Sequence, residues 1–190
     1  LIQSFSSSSN AALSRNSRSL ASTMVHRPVI RTINCGEDHS VALSEDGSVF
    51  TWGSNARGQL GHGPSNRSSC SPRRVETFKR PVVEIGCGAF HNIALLSAGQ
   101  VAVWGSAEQT GLGVFVGNGD KAYPTILNAL TKFRMRHVGS GTDYCVVVSH
   151  SGDLYSWGEN YSGQLGLGDT KARFVPTLIP SLREDKRHGR

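Results

Sequence analysis

The side chains best suited to chemistry are His39 and His91, each preceded at a fixed offset by Cys-Gly, as Cys35-Gly36 and Cys87-Gly88. Imidazole is the usual general base near neutral pH and a common metal ligand, so a recurring Cys-Gly-x-x-His invites both readings. The third occurrence answers them. It runs Ser140-Gly141-Thr142-Asp143-Tyr144, and a tyrosine cannot stand in for a histidine base or ligand. No CxxC pair exists from which a zinc site could be built, and no Ser/His/Asp spacing or carboxylate pair stands out. Gly58-Gln59-Leu60-Gly61-His62-Gly63 is only loosely GxGxxG-like, and it follows a strand without opening a helix. His39 and His91 are therefore expected to make structural hydrogen bonds, each within its own unit. No catalytic residue, metal or cofactor is expected.

The elements that must position these residues repeat with them. Trp52, Trp104 and Trp157, the three tryptophans of the chain, are separated by 52 and 53 residues. A period of that size points to a propeller or an array. In the first unit Val29–Asn34, Ser40–Leu43 and Val49–Trp52 alternate as short strands, and Asp46-Gly47 between the last two is a hairpin signal. Ala98-Gly99 and Ser151-Gly152 take that place in the other units. Each of these glycines stands five residues before its tryptophan, which puts the indoles on one constant strand face. They are expected to be core residues. A glycine-rich loop follows in the first and third units, then Pro72, Pro124 or Pro176, each leading into an apolar stretch (RRVETF, TILNAL, TLIPSL) expected as an outer strand. The second unit departs, with Thr110 at the first loop glycine, Gly111 at the glutamine and Phe115 at the last glycine, so its loop should follow another path. Helical periodicity is confined to Ile126–Phe133. Such a unit cannot bury both faces alone and must stack on its neighbours.

The net charge of +6 is unevenly placed: residues 1–36 contribute +4 and residues 183–190 contribute +2, leaving 12 basic and 12 acidic residues between. A neutral body with basic ends supports nucleic-acid or chromatin contact only through the tail. Residues 1–28 read as a Ser/Arg-rich disordered tail or a presequence, and residues 181–190 as a basic tail. The compartment expected is cytoplasm or nucleus, or the mitochondrion if residues 1–27 are a presequence. No apolar run approaches the roughly 18 residues of a membrane helix, so no membrane association is expected. The four cysteines are expected as buried or half-buried free thiols, because Cys35 and Cys87 occupy one slot of successive units and should not face each other.

The stretch CGEDHSVALSEDGSVFTWGSNARGQLGHG (Cys35–Gly63), with its counterparts from Cys87 and Ser140, resembles the repeat of the regulator of chromosome condensation family. The resemblance covers about residues 29–180, as repeats at about 29–80, 81–133 and 134–180. It implies an all-β fold: β-propeller blades of about four antiparallel strands, three repeats forming a partial, open propeller. The family's rings have about seven blades, so three read as a fragment, a truncated product, or an arc completed by other copies or a partner. Gly36, His39, Trp52, Gly88, His91, Trp104, Gly141 and Trp157 are then structural. The family's exchange-factor member uses its Gly-x-x-His loop against a small GTPase, and by position the partner-binding residues here are Glu37, Asp38, Phe90 and Asp143. The ultraviolet-photoreceptor branch clusters extra tryptophans in that segment, and this chain has none there. The function implied is a non-enzymatic protein-protein interaction or regulatory module. The alternatives are guanine nucleotide exchange on a Ran-like small GTPase and chromatin association through the basic tail.

Overall fold

The computed structural model describes residues 27–65, 67–113 and 119–182. Its strands form three four-stranded antiparallel sheets, each a meander in chain order. The first blade holds β1 (Ile30–Cys35), β2 (His39–Ser44), β3 (Val49–Gly53) and β4 (Ser69–Arg74). The second holds β5 (Val82–Cys87), β6 (His91–Leu96), β7 (Val101–Gly105) and β8 (Lys121–Ile126). The third holds β9 (Met135–Ser140), β10 (Tyr144–Ser149), β11 (Leu154–Gly158) and β12 (Arg173–Leu178). The expected architecture of three four-stranded blades is the observed one.

Local chemistry explains the hairpins. Gly47, Gly99 and Gly152 sit at φ between 80° and 88°, a conformation that side-chain-bearing residues rarely adopt. Asp46 caps the first turn, accepting hydrogen bonds from the Ser48 backbone N–H and hydroxyl and from the Ser44 hydroxyl.

The outer strands begin earlier than expected. Pro72, Pro124 and Pro176 lie inside β4, β8 and β12 rather than ahead of them. In all three blades pairing to the third strand breaks, between Thr51 and Gly53, between Val103 and Gly105 and between Ser156 and Gly158, and the proline falls in that irregular stretch. A residue without an N–H is tolerated at an edge strand or a bulge, and each outer strand is both. The helical candidate at Ile126–Phe133 is instead the end of β8 and one 3-10 turn, Asn128–Leu130. Its apolar spacing places Leu127 and Leu130 in the core.

The hydrophobic cores lie between blades. Val41, Leu43 and Val49 of the first blade pack on Val82, Ile85, Ala94 and Trp104 of the second. Ile93, Leu95, Val101 and Val103 of the second pack on Met135, Val138, Cys145, Val147 and Trp157 of the third. This is the nearest-neighbour stacking a repeat protein requires. The first strands β1, β5 and β9 converge on a shared cleft lined by Asn34, Glu84, Gly86, Gly139 and Ser140. That convergence gives the arc an inner side.

Candidate functional site

The antiparallel meander brings all three Gly-x-x-His/Tyr loops to one end of the arc. Backbone hydrogen bonds tie them into a row: Glu37 N donates to Ala89 O (3.3 Å), and Ala89 N to Thr142 O (2.8 Å). The residue before each His or Tyr is held the same way in every blade. The carbonyls of Asp38, Phe90 and Asp143 accept from Ser54 N (2.7 Å), Ser106 N (2.9 Å) and Glu159 N (2.9 Å). Gly53, Gly105 and Gly158 make this possible, at φ between 104° and 112°. A Cβ at any of them would stand 2.2–2.4 Å from the accepting carbonyl oxygen. The backbone is thus fixed while the side chain at the slot varies. Glu37 and Asp38 are exposed, and Phe90 and Asp143 are half-buried.

The same end carries residues that pattern reading missed. Asp120 and Asp169 are taken up by Arg57 (3.6 Å) and Arg173 (2.7 Å). Glu37, Asp38, Glu108, Asp143 and Glu159 make no ion pair among the described residues. Tyr161, 81% exposed, stands among the last three. A hydrogen bond to Glu159, followed by the charges of Glu159, Glu108 and Asp143, holds its hydroxyl above the ordinary phenol range. The available signal was topological: every loop after a blade's first or third strand must end on this face.

The histidines join blades rather than bracing their own, which corrects the expectation. His39 Nε2 stands 3.1 Å from Asn92 Oδ1 and 3.2 Å from Cys87 Sγ, both in the next blade. His91 Nε2 repeats this with Ser140 Oγ (2.9 Å) and Cys145 Sγ (3.2 Å). Each ring is seated over a glycine: a Cβ on Gly36 or Gly88 would come within 2.5 Å of the ring and 2.5–2.7 Å of the next blade's glycine carbonyl. Gly141 is pressed in the same way by the Tyr144 ring. Burial pushes the His91 pKa down to about 4 and lowers that of His39. It pushes the thiols of Cys87 and Cys145 up to about 12, so neither is a nucleophile near neutral pH. Cys35 and Cys70 are exposed, contrary to expectation, because Cys35 ends the first strand of a blade uncovered on that side and Cys70 lies on an outer strand.

The tryptophans obey the same blade-to-blade rule. Trp104 Nε1 donates to Gln59 O (2.9 Å) and Trp157 Nε1 to Gln109 O (3.0 Å), so each indole is roofed by the loop of the preceding blade. Both are fully buried. Trp52 is only half-buried, because no described residue supplies its roof. These contacts also correct the reading of the second loop. Gln109 and Gly111 occupy the places of Gln59 and Gly61, since Gly111 faces Trp157 Nε1 as Gly61 faces Trp104 Nε1. The loop is two residues shorter before its glutamine, and the 3-10 turn Ala107–Gln109 spans the gap. Thr110 therefore stands at the leucine slot rather than at a glycine slot, and Phe115 lies outside the described residues. Residues 1–26 and 183–190, which carry most of the two tails, also lie outside them.

Three four-stranded blades joined side by side, with a loop roofing the next indole at each joint, define an arc of a β-propeller. The chain belongs to the regulator of chromosome condensation (RCC1) repeat family. Two models of that repeat match it, one over residues 46–95 and 151–187, the other over 30–59 and 82–109. The ultraviolet-B receptor UVR8 of Arabidopsis thaliana is 35% identical over 83% of this chain, and the human probable E3 ubiquitin-protein ligase HERC6 is 33% identical over 79%. Among solved structures, human WBSCR16 superposes with a TM-score of 0.70 at 27% identity over 80% of the chain. Prp20p of Saccharomyces cerevisiae, studied for its binding to Gsp1p and histones, gives 0.69 at 26% identity over 79%. The chain spans 36% of the receptor, 15% of the ligase and 38% of each of these two structures.

Proposed function

We propose that this chain is a non-enzymatic interaction module whose acidic loop face docks a basic surface on a protein partner. One observation carries the reading: Glu37, Asp38, Glu108, Asp143 and Glu159 gather on one end of the arc without cations of their own, on loops pinned by backbone hydrogen bonds. Preorganised acids lose little freedom on binding, and a cluster of unpaired acids steers an oppositely charged partner. Exposed Tyr161 and half-buried Phe90 supply aromatic anchors of the kind that dominate interface energetics. The likeness to Prp20p, studied with Gsp1p and histones, favours a partner of basic character.

The finer reading is guanine nucleotide exchange on a Ran-like small GTPase by this same face. Exchange needs no bond-making residue, only loops that disturb a nucleotide site. Two measurements separate the readings. Immobilised protein is titrated with a Ran-like GTPase and with core histones, as wild type and as the Glu37→Lys, Asp38→Lys, Asp143→Lys triple variant. Three reversed charges should weaken binding about tenfold or more and reduce its salt dependence. Unchanged binding of both partners by the variant overturns the docking reading. Release of fluorescent GDP then decides exchange: no acceleration at micromolar protein removes it and leaves docking intact.

A further inference from the structure

The joint between the first and second blades lacks a pair of rings that the next joint has. Two residues before each tryptophan stand Phe50, Ala102 and Tyr155. Strand pairing puts them in one slot: Phe50 lies opposite Arg74, Ala102 opposite Ile126 and Tyr155 opposite Leu178, each partner on its blade's outer strand. Between the second and third blades the slot is filled and covered. Tyr155 packs against the core there, and Phe133 of the linker lies against it with ring centroids 5.3 Å apart. Between the first and second blades Ala102 stands for the tyrosine and Arg80 for the phenylalanine. Arg80 precedes Val82 by two residues as Phe133 precedes Met135, and the N–H groups of Val82 and Met135 make equivalent bonds, to Gly47 O and Gly99 O.

In place of those rings is an open recess of about 330 Å³, of the size that takes a bulky side chain or a small ligand. Leu96 and Ala102 form its buried floor, Pro124 and Ile126 its half-buried wall, and Lys79 and Arg80 its exposed rim. Phe78 does not fill it, because its ring is turned edge-on to Trp104 at 5.8 Å. Neither rim cation has an ion pair or side-chain hydrogen bond among the described residues. The acids nearby are engaged: Glu76 with Arg74 (3.8 Å) and Asp46 with its own turn. The recess sits where β6 turns into β7, at the end of the blade away from the acidic loops. The linker and the second blade alone line it, so a further repeat stacked on either outer blade would not reach it.

We propose that this recess docks an acidic peptide segment of a protein partner, one aromatic side chain entering beside Ala102 while flanking carboxylates meet Lys79 and Arg80. The occupant follows from the two differences between the joints. Loss of the tyrosine and phenylalanine leaves room where the other joint holds aromatic rings, and a buried aromatic in a preformed pocket is the usual anchor of an interface. The arginine that replaces one of those rings adds a cation at the mouth, with a fork that matches carboxylates. The site is separate from the acidic face and stands whether or not that face docks a basic partner.

The test uses the full 190-residue chain and a fluorescein-labelled peptide with one central phenylalanine flanked on both sides by aspartate and glutamate. Saturable polarisation in the micromolar range is expected, with amide chemical-shift changes at Thr77, Lys79, Arg80 and Gln100 rather than at the acidic loops. Replacing the peptide's phenylalanine by alanine should weaken binding about tenfold or more. The exposed double variant Lys79→Glu, Arg80→Glu should do the same with unchanged circular dichroism. Ala102→Phe restores the ring of the other two blades; it should abolish peptide binding and melt at or above the wild-type temperature, since the ring enters open space. No binding, equal binding of the two peptides, or shift changes confined to other surfaces overturns the proposal. So does Ala102→Phe if it still binds, or if it melts below wild type and so shows that the recess has no room for a ring.

Discussion

Acidification should open the blade joints, and His91 gives the size of the effect. Its ring is fully buried between the second and third blades, against Ser140 and Cys145, and burial holds its pKa at about 4 rather than the ordinary 6.5. The unfolded chain therefore takes up the proton first as pH falls. Stability from this group is complete above pH 6.5, declines below it, and stops declining only near pH 4. Linkage between those two values makes the loss about 2 kcal/mol from pH 7 to pH 5 and about 3 kcal/mol by pH 4. That is a large share of the 5–15 kcal/mol typical of a folded domain. His39, lowered in the same direction by burial, adds to it at the first joint. The assay is urea unfolding followed by tryptophan fluorescence between pH 7 and pH 5, where most carboxylates stay ionised. His91→Gln should be less stable than wild type at pH 7, since it loses a buried hydrogen-bonding partner, yet its stability should fall less steeply with acid. Equal slopes for wild type and variant would refute the reasoning, because the proton uptake would then belong elsewhere.

The tryptophans should differ in worth despite identical slots: Trp104→Ala should cost about 3–5 kcal/mol in urea unfolding, as for a fully buried indole, and Trp52→Ala clearly less. Equal losses would mean that Trp52 is roofed after all. Gly105→Ala should destabilise by more than the 1–3 kcal/mol of backbone strain alone, because its Cβ would also meet Phe90 O at 2.2 Å; a melting temperature within a degree of wild type would contradict this. Maleimide labelling of the folded chain should reach Cys35 and Cys70 and spare Cys87 and Cys145, with all four reacting in denaturant; mass spectrometry reads the count. Rapid native labelling of Cys145 would show that the second joint opens far more readily than its packing implies.

What was legible in the chain was whatever depends on one blade, and what was misread depends on two. Asp46-Gly47 announces its hairpin because a positive φ is a local demand, and the spacing from Gly to Trp sets a strand face by local geometry. The partner of His39 lies 53 residues away at Asn92, and no spacing within a unit reveals that the bond crosses a joint. The second loop shows the same limit from the other side. Counted from Trp104, Thr110 falls on a glycine slot and the unit reads as degenerate. Measured against Trp157, which it must roof, Gln109 and Gly111 are in place and only the approach to them is shorter. The joint, not the distance along the chain, sets the register. The same reasoning bears on the acidic face. Asp38, Phe90 and Asp143 could be singled out because their slot varies within a fixed frame, whereas Glu108, Glu159 and Tyr161 come from loops of unequal length that align only once the blades are side by side. A contact surface assembled from several blades is for that reason only partly readable from any one of them, and its charge is a property of the arc.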